Sequence, residues 1–217
     1  MGGTREEEVA PIRILSQTSN VRRALLVVDV QNDFCPGGAL AVPEGDLVIE
    51  PLNRMIEYFD RKGLPVFFSR DWHPEDTEHF KTWPAHCVQN TQGAEFHPDL
   101  LKPISAKVIT KGFSKKDDGY SPFEGVYLKG DDWPTPCQLL LGQPQGTSLY
   151  IGGLATDYCV KAACLDAVKF GYSVYLLTDA CRAVNLKPMD EAEALEEMRR
   201  TGVVFTTTEE ALKAAVI

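Results

Sequence analysis

The chain has 217 residues, of which 44% are hydrophobic and 24% are charged, and its formal net charge is -9. This composition is typical of a globular protein with a buried core, and it excludes a disordered, collagen-like or coiled-coil chain. The excess of acidic residues opposes binding to a polyanion, so we expect no nucleic-acid partner. No apolar run reaches the roughly 18 residues of a membrane span, so we expect no membrane partner either.

The amino-terminal segment, residues 1–20, contains a run of acidic residues and lacks the apolar stretch of a signal peptide. We therefore expect a flexible tail over residues 1–20 and a single domain over residues 21–217. The six cysteines form no CxxC pair or other tight framework, which favours reduced thiols in a cytoplasmic protein. The sequence is compatible with a homo-oligomer but does not predict one.

Short apolar, β-branched runs alternate with helical stretches, and this alternation predicts a parallel sheet with helices on both faces. The predicted strands are residues 24–30, 65–70, 107–110, 148–152, 173–177 and 203–206. The predicted helices are residues 47–61, 157–170, 189–200 and 209–216. The expected fold class is therefore α/β, with three layers and a mostly parallel six-stranded sheet between the helices.

Reactive side chains follow four of the predicted strands. Asp29 lies at the end of the first strand, Asp71 follows the second and Lys111 the third, and Cys159 comes shortly after the fourth. In open α/β sheets ligands bind at the carboxyl ends of the strands, so these side chains are expected to meet at one edge. Two long polar segments, 71–103 and 112–136, border the same edge, and loops of that length are usually functional.

Cys159 lies near the start of the helix predicted after the fourth strand. Either Thr156 or Asp157 can cap this helix, which leaves Cys159 in the first turn, where free N–H groups and the helix dipole favour a thiolate. A nearby carboxylate can accept the thiol proton, and a nearby cation can keep that carboxylate ionised. Cys164, about one turn later, is interpreted as a core residue.

Three of the four histidines cluster in the first long segment, behind a carboxylate. In chain order the four residues are Asp71, His73, His79 and His86. Imidazole and carboxylate ligands suit one divalent first-row metal ion, zinc first, with manganese or iron as alternatives. Exposed loop histidines are the competing interpretation. Cys87 stays an alternative ligand, and His97 is expected to be structural.

The same residues belong to a series of motifs between Ala24 and Asn185. The motifs are VVDVQNDFCPGGAL, SRDWHP, WPAHCVQNTQGAEFHPDL, ITKG, YSPFEG, GLATDYCV and TDACRAV. In this order they resemble the nicotinamidases, which include pyrazinamidase-like enzymes, of the isochorismatase-like cysteine hydrolase superfamily. The DWHP and WPAHC segments connect the chain with the metal-binding branch of that superfamily. The resemblance implies the isochorismatase-like hydrolase fold.

The resemblance also implies functional residues. It implies a catalytic trio of Asp29, Lys111 and Cys159, and a cis peptide bond between Leu154 and Ala155. The backbone N–H groups of Ala155 and Cys159 are the implied oxyanion hole. The implied metal ligands are Asp71, His73, His79 and His86. The implied substrate-binding residues are Phe34, Trp83, Tyr120 and Leu154, although the aromatic ones also suit an ordinary core.

The activity implied by the resemblance is hydrolysis of nicotinamide to nicotinate and ammonia through a thioester, a reaction of NAD salvage. The metal ion is expected to bind the pyridine nitrogen or an adjacent water, and pyrazinamide-like analogues are candidate substrates. Two alternatives stay open. One is another small-amide cysteine hydrolase of the same superfamily, and the other is a catalytically inactive binding protein on this fold.

Overall fold

The computed structural model describes residues 22–130 and 132–214, so the predicted tail over residues 1–20 lies outside the described residues. The strands are β1 (Arg22–Val28), β2 (Val66–Asp71), β3 (Lys107–Lys111), β4 (Val126–Tyr127), β5 (Thr135–Pro136), β6 (Thr147–Leu154), β7 (Ser173–Arg182) and β8 (Val204–Thr206). The helices are α1 (Ile49–Arg61), α2 (Cys137–Leu141), α3 (Lys161–Phe170), α4 (Asp190–Arg200) and α5 (Thr208–Ala214).

The strands form one sheet in the order β5-β4-β3-β2-β1-β6-β7-β8. In the part of the sheet ordered β3-β2-β1-β6-β7-β8, every two neighbouring strands are parallel. Strands β4 and β5 add an antiparallel edge next to β3. The predicted α/β class with a mostly parallel sheet is confirmed. The sheet has two strands more than predicted because β4 and β5 have two residues each, too few for an alternating pattern to mark them.

Helices cover both faces of the sheet, and the central strand β1 shows how. Its side chains alternate between the faces, as the pleat requires. Leu25 and Val27 belong to a core that includes buried residues of α1 and α5. Ala24, Leu26 and Val28 belong to a second core with buried residues of α3 and α4. Because both faces are covered, β1 and β6 consist almost entirely of buried residues.

The sheet register brings the carboxyl ends of four strands to one edge. Val28 at the end of β1 lies opposite Ser69 of β2 and Gly153 of β6. On the next pair, Asp71 lies opposite Lys111. Gly153 is at a φ of +133°, and a Cβ there would lie 2.0 Å from the carbonyl oxygen of Val28, so this close approach requires glycine.

Within residues 22–130 and 132–214, every helix is too short or too polar to cross a bilayer.

Candidate active site

The ammonium group of Lys111 lies at the centre of the strand edge and is fully buried. Its Nζ atom is 2.7 Å from Oδ2 of Asp29 and 2.5 Å from Oδ1 of Asp71. It also donates a hydrogen bond to the carbonyl oxygen of Gly119. The Sγ atom of Cys159 is 3.5 Å from the same nitrogen. The residues that follow the four strands therefore meet, as their positions predict.

Cys159 lies in a π-helical turn, Thr156–Val160, that connects β6 to α3. No side chain caps this turn, so the predicted cap is wrong. The carboxylate of Asp157 instead accepts hydrogen bonds from the backbone N–H groups of Val184 and Asn185, at 3.0 and 2.8 Å. It thereby fixes a distant loop that forms part of the pocket wall, since Val184 lines the pocket.

Burial affects the pKa values of both Cys159 and Asp29. Burial raises the pKa of the Cys159 thiol well above its ordinary value, and Lys111 offsets only part of that rise. Burial therefore opposes the thiolate that the position of Cys159 in the chain predicts. Burial also raises the pKa of Asp29, with Lys111 opposing, to about 6. Asp29 is hydrogen-bonded to the thiol, so a carboxylate ready to accept a proton faces a sulfur that carries one.

Two buried polar residues hold the carboxylates, and the sequence did not single them out. The hydroxyl of Ser69 donates to Oδ1 of Asp29 at 2.7 Å. The side-chain amide of Gln31 donates to the carbonyl oxygens of Asp71 and Ala94 and accepts from the N–H of Asp71, each at 2.8 Å. The feature of the sequence that marks Gln31 is its position two residues after Asp29. At the end of a buried strand, a polar residue at this spacing points into the protein.

A cluster of three histidines lies beside Asp71. His73, His79 and His86 are buried, and one ring nitrogen of each lies within 4.8 Å of the others. Both ring nitrogens of His73 are buried without a hydrogen-bond partner in the described part of the chain. The Nε2 atom of His73 is 3.8 Å from Oδ2 of Asp71. The second oxygen of Asp71 therefore faces the cluster while the first contacts Lys111.

The histidines are held in a form that can bind a metal ion. Burial lowers the pKa of His86 to about 4, which favours the neutral imidazole that serves as a ligand. Nδ1 of His86 donates to the carbonyl oxygen of Pro84 at 2.7 Å, which leaves Nε2 as the lone-pair nitrogen. The three imidazoles fit a single divalent ion, and Asp71 lies beside them through its contact with His73. Cys87 is outside the cluster, and its carbonyl oxygen accepts a hydrogen bond from the N–H of His73.

A pocket with about 410 Å³ of empty space, counted to its open mouth, connects Cys159 to the histidine cluster. Phe34, Trp83 and Tyr120 line it, at the positions expected to contact substrate. Leu154 does not line this pocket, because its side chain is fully buried in the core, and this expectation requires correction. The peptide bond between Leu154 and Ala155 is cis, as the resemblance implies.

Tyr158 completes the aromatic wall and was missed from the sequence. Its ring lies 4.9 Å from that of Trp83, edge to face. The indole N–H of Trp83 donates to the hydroxyl of Tyr120 at 2.9 Å. The position of Tyr158 next to Cys159 in the chain is the signal that marks it. The pocket therefore combines aromatic walls with polar, titratable groups, and the rings of Trp83 and Tyr120 lie beside that of His79.

The other thiols and the fourth histidine lie outside this arrangement. All six cysteines are free and buried, as the irregular spacing predicts. Cys164 is fully buried in the core on α3, also as predicted. His97 lies outside the histidine cluster, and its Nδ1 accepts a hydrogen bond from the N–H of Asp99 at 3.3 Å.

A cysteine, an aspartate and a lysine in contact at the carboxyl edge of a parallel sheet define an α/β protein of the cysteine hydrolase class. The chain belongs to the isochorismatase domain family, which matches residues 23–210.

Comparisons with known proteins agree with this assignment. The nicotinamidase of Escherichia coli (strain K12) is 42% identical in an alignment 208 positions long. The alignment covers 85% of this chain and 94% of that protein. The pyrazinamidase of Pyrococcus horikoshii in complex with zinc has a TM-score of 0.74 and 43% identity, and the match covers 86% of this chain and 99% of that one. The L. infantum protein PnC1 in complex with nicotinate has a TM-score of 0.73 and 32% identity, with 89% and 96% covered.

Replacing the buried cation should make stability depend on pH. Lys111→Met leaves the carboxylates of Asp29 and Asp71 buried without their cation, which we expect to cost about 3–5 kcal/mol at pH 8. Both carboxyls would then have folded pKa values above their unfolded values. The folded state would bind protons that the unfolded state releases, so stability should recover as the pH falls to about 5.5. Urea denaturation at both pH values measures this.

Lys115→Met is the matched control, because Lys115 forms an ion pair of 2.8 Å with Asp76 that is exposed. This variant should lose little stability and show no such recovery. Equal losses for Lys111→Met at both pH values would contradict the assigned role of the cation.

Proposed function

We propose that the protein is a metal-dependent cysteine amidohydrolase that converts nicotinamide to nicotinate and ammonia through a thioester at Cys159. The observation that carries this proposal is the buried contact of Lys111 with Asp29, Asp71 and Cys159 at the end of an aromatic pocket. The relatives named as nicotinamidases support the choice of substrate, as does the nicotinate bound by the L. infantum protein.

The first half of the reaction forms the thioester. Asp29 accepts the thiol proton while the sulfur of Cys159 attacks the carboxamide carbon, so a free thiolate never accumulates in the buried site. Lys111 keeps Asp29 ionised and oriented before the transfer. The N–H groups of Ala155 and Cys159 receive the developing oxyanion, and each donor of this kind contributes about 3–4 kcal/mol.

The second half releases ammonia and then the acid. Asp29 gives its proton to the amide nitrogen, the C–N bond breaks, and ammonia leaves a thioester behind. A water molecule then loses a proton to Asp29 as its oxygen attacks the thioester carbonyl. The C–S bond breaks, the sulfur of Cys159 takes the proton back from Asp29, and nicotinate is free to leave. One carboxyl group therefore serves both steps, which a pKa of about 6 allows.

Asp71, His73, His79 and His86 are proposed to hold one divalent ion, with zinc as first choice and manganese or iron as alternatives. The zinc in the P. horikoshii structure and the unpartnered nitrogens of His73 support this set. When bound, the ion supplies a Lewis-acidic site for the pyridine nitrogen or a water beside it. The chain itself positions the ring between the aromatic walls of the pocket, which orients the carboxamide toward Cys159.

Other features of the proposal follow from the same residues. Pyrazinamide has a similar flat ring and carboxamide, so pyrazinamide-like analogues are proposed as further substrates. The six free cysteines suit the reducing cytoplasm, where hydrolysis of nicotinamide serves NAD salvage. We also propose that residues 21–217 form one domain.

Ammonia release from nicotinamide by the purified, reduced protein tests the activity directly. Cys159→Ala should lower turnover by at least about 10³-fold, because the acyl group has no acceptor. Cys164→Ala removes a core thiol from α3, the helix that follows the turn with Cys159, and should keep the turnover number of the wild type. Release of ammonia from N-carbamoyl compounds but not from nicotinamide would show that the substrate is wrong.

The acid limb of the pH profile should report Asp29. Protonation of this carboxylate removes the base that accepts the thiol proton, and its pKa is raised to about 6. The value of kcat/KM should therefore fall about tenfold per pH unit below pH 6. Steady-state rates between pH 4.5 and 8 measure this, and Asp29→Asn should remove the activity throughout. A constant kcat/KM down to pH 5 would disagree with Asp29 as the base.

Metal content should follow the histidine cluster. Removal of the ion with a chelator should strongly weaken nicotinamide turnover, and adding zinc, manganese or iron should restore it. Elemental analysis should find about one ion per wild-type chain, and less in His73→Ala. His97→Ala serves as the matched histidine control and should retain the wild-type content. Equal metal contents in His73→Ala and the wild type would rule out the proposed ligand set.

A further inference from the structure

The Nδ1 atoms of His79 and His86 differ in what they contact. Nδ1 of His86 donates to a neutral backbone carbonyl group. Nδ1 of His79 is 3.3 Å from Oδ1 of Asp118, so its hydrogen-bond partner is a carboxylate. A neutral imidazole carries one N–H, and a carboxylate at Nδ1 places it there. The other nitrogen of His79, Nε2, is then the one with the free lone pair.

Asp118 and His79 belong to different segments of the chain. These two segments contact each other through several hydrogen bonds. The carbonyl oxygen of Lys115 accepts hydrogen bonds from the N–H of Glu78 at 2.8 Å and the hydroxyl of Thr77 at 3.3 Å. The loop with Asp118 therefore docks on the 3₁₀ turn Glu78–Lys81, which contains His79.

The same loop is fixed from its other side by the buried lysine. The residue after Asp118, Gly119, accepts the hydrogen bond of the Lys111 ammonium through its carbonyl oxygen. A Cβ on Gly119 would lie 2.7 Å from the Cα of Gly112, so the two glycines pack closely. The N–H of Gly119 also donates to Oδ1 of Asp117 at 3.0 Å. The backbone at residue 118 is thus held between the buried lysine and the turn of His79.

We propose that Asp118 is a positioning residue for the metal site: its carboxylate fixes the tautomer and ring orientation of His79 and thereby raises the affinity for the divalent ion. This proposal rests on the metal site of the proposed function. A carboxylate on the far side of a ligating imidazole also makes that ligand more basic, and loss of such a partner weakens metal binding by about 10- to 100-fold. The Asp118 side chain is 69% exposed, so we expect an effect at the lower end of this range.

Zinc affinity of the metal-free, full-length protein tests the proposal. Titration of Zn²⁺ in competition with a chromophoric chelator should give Asp118→Asn a Kd about tenfold higher than that of the wild type. Asp99→Asn is the matched control, because Asp99 is an exposed carboxylate 4.0 Å from the ring of His97, away from the cluster. Its zinc Kd should equal that of the wild type.

A double-mutant comparison shows whether Asp118 acts through His79. In a His79→Ala background, Asp118→Asn should cause no further loss of zinc affinity. Metal-free Asp118→Asn should also have the urea midpoint of the metal-free wild type, which separates positioning from a general loss of stability. An unchanged zinc Kd in Asp118→Asn, or an equal loss in both backgrounds, would overturn the proposal, as would a wild type that holds no zinc.

The outcome is distinguishable from that of the activity assay. Zinc affinities that follow the pattern above, with no ammonia released from nicotinamide, would reject the proposed substrate and keep the role of Asp118. Ammonia release that depends on the metal, with equal zinc affinities for Asp118→Asn and the wild type, would do the opposite.

Discussion

The buried ammonium of Lys111 is the interaction on which the rest of the site depends. A lysine with no solvent exposure is strongly destabilising unless opposite charges and hydrogen-bond acceptors replace its water. Its partners Asp29 and Asp71 come from the ends of two other strands. The register that places Asp71 opposite Lys111 is therefore a condition for both the sheet and the site. A one-residue slip would turn these side chains to the opposite face and leave the charges unpaired.

One cation between two carboxylates gives those carboxylates different properties. Asp71 has Lys111 on one oxygen and His73 near the other, and these neighbours outweigh its burial and hold its pKa below the usual range. Burial has the larger effect on Asp29 and raises its pKa to about 6. Two similar residues in contact with one lysine thus separate into a permanent anion and a proton acceptor. The permanent anion faces the histidines, and the proton acceptor faces the sulfur.

The sequence predicts the parts of this site that depend on strand position and fails on those that depend on distant contacts. The sequence predicts that Asp29, Lys111 and Cys159 meet, because the carboxyl ends of parallel strands lie at the same edge of the sheet. The capping role of Asp157 was wrong because its partners lie 27 and 28 residues away in the chain. The sequence shows the helix start that favours a thiolate at Cys159, but it does not show the burial that opposes one. Leu154 was misplaced because its side chain is fully buried in the core and does not reach the pocket wall.

Hydrogen bonds along the two long polar segments hold the residues of the proposed metal site. The chain at His73 pairs with the chain at Val88 in a short parallel bridge, which holds the first histidine. The side-chain amide of Gln89 then donates to the carbonyl oxygens of Trp72 and Phe113, which joins the two segments. Backbone groups that would bind water in an irregular loop are therefore hydrogen-bonded to other protein groups here. Because these contacts hold the proposed ligands, binding of the proposed ion need not offset the entropy of ordering a loop.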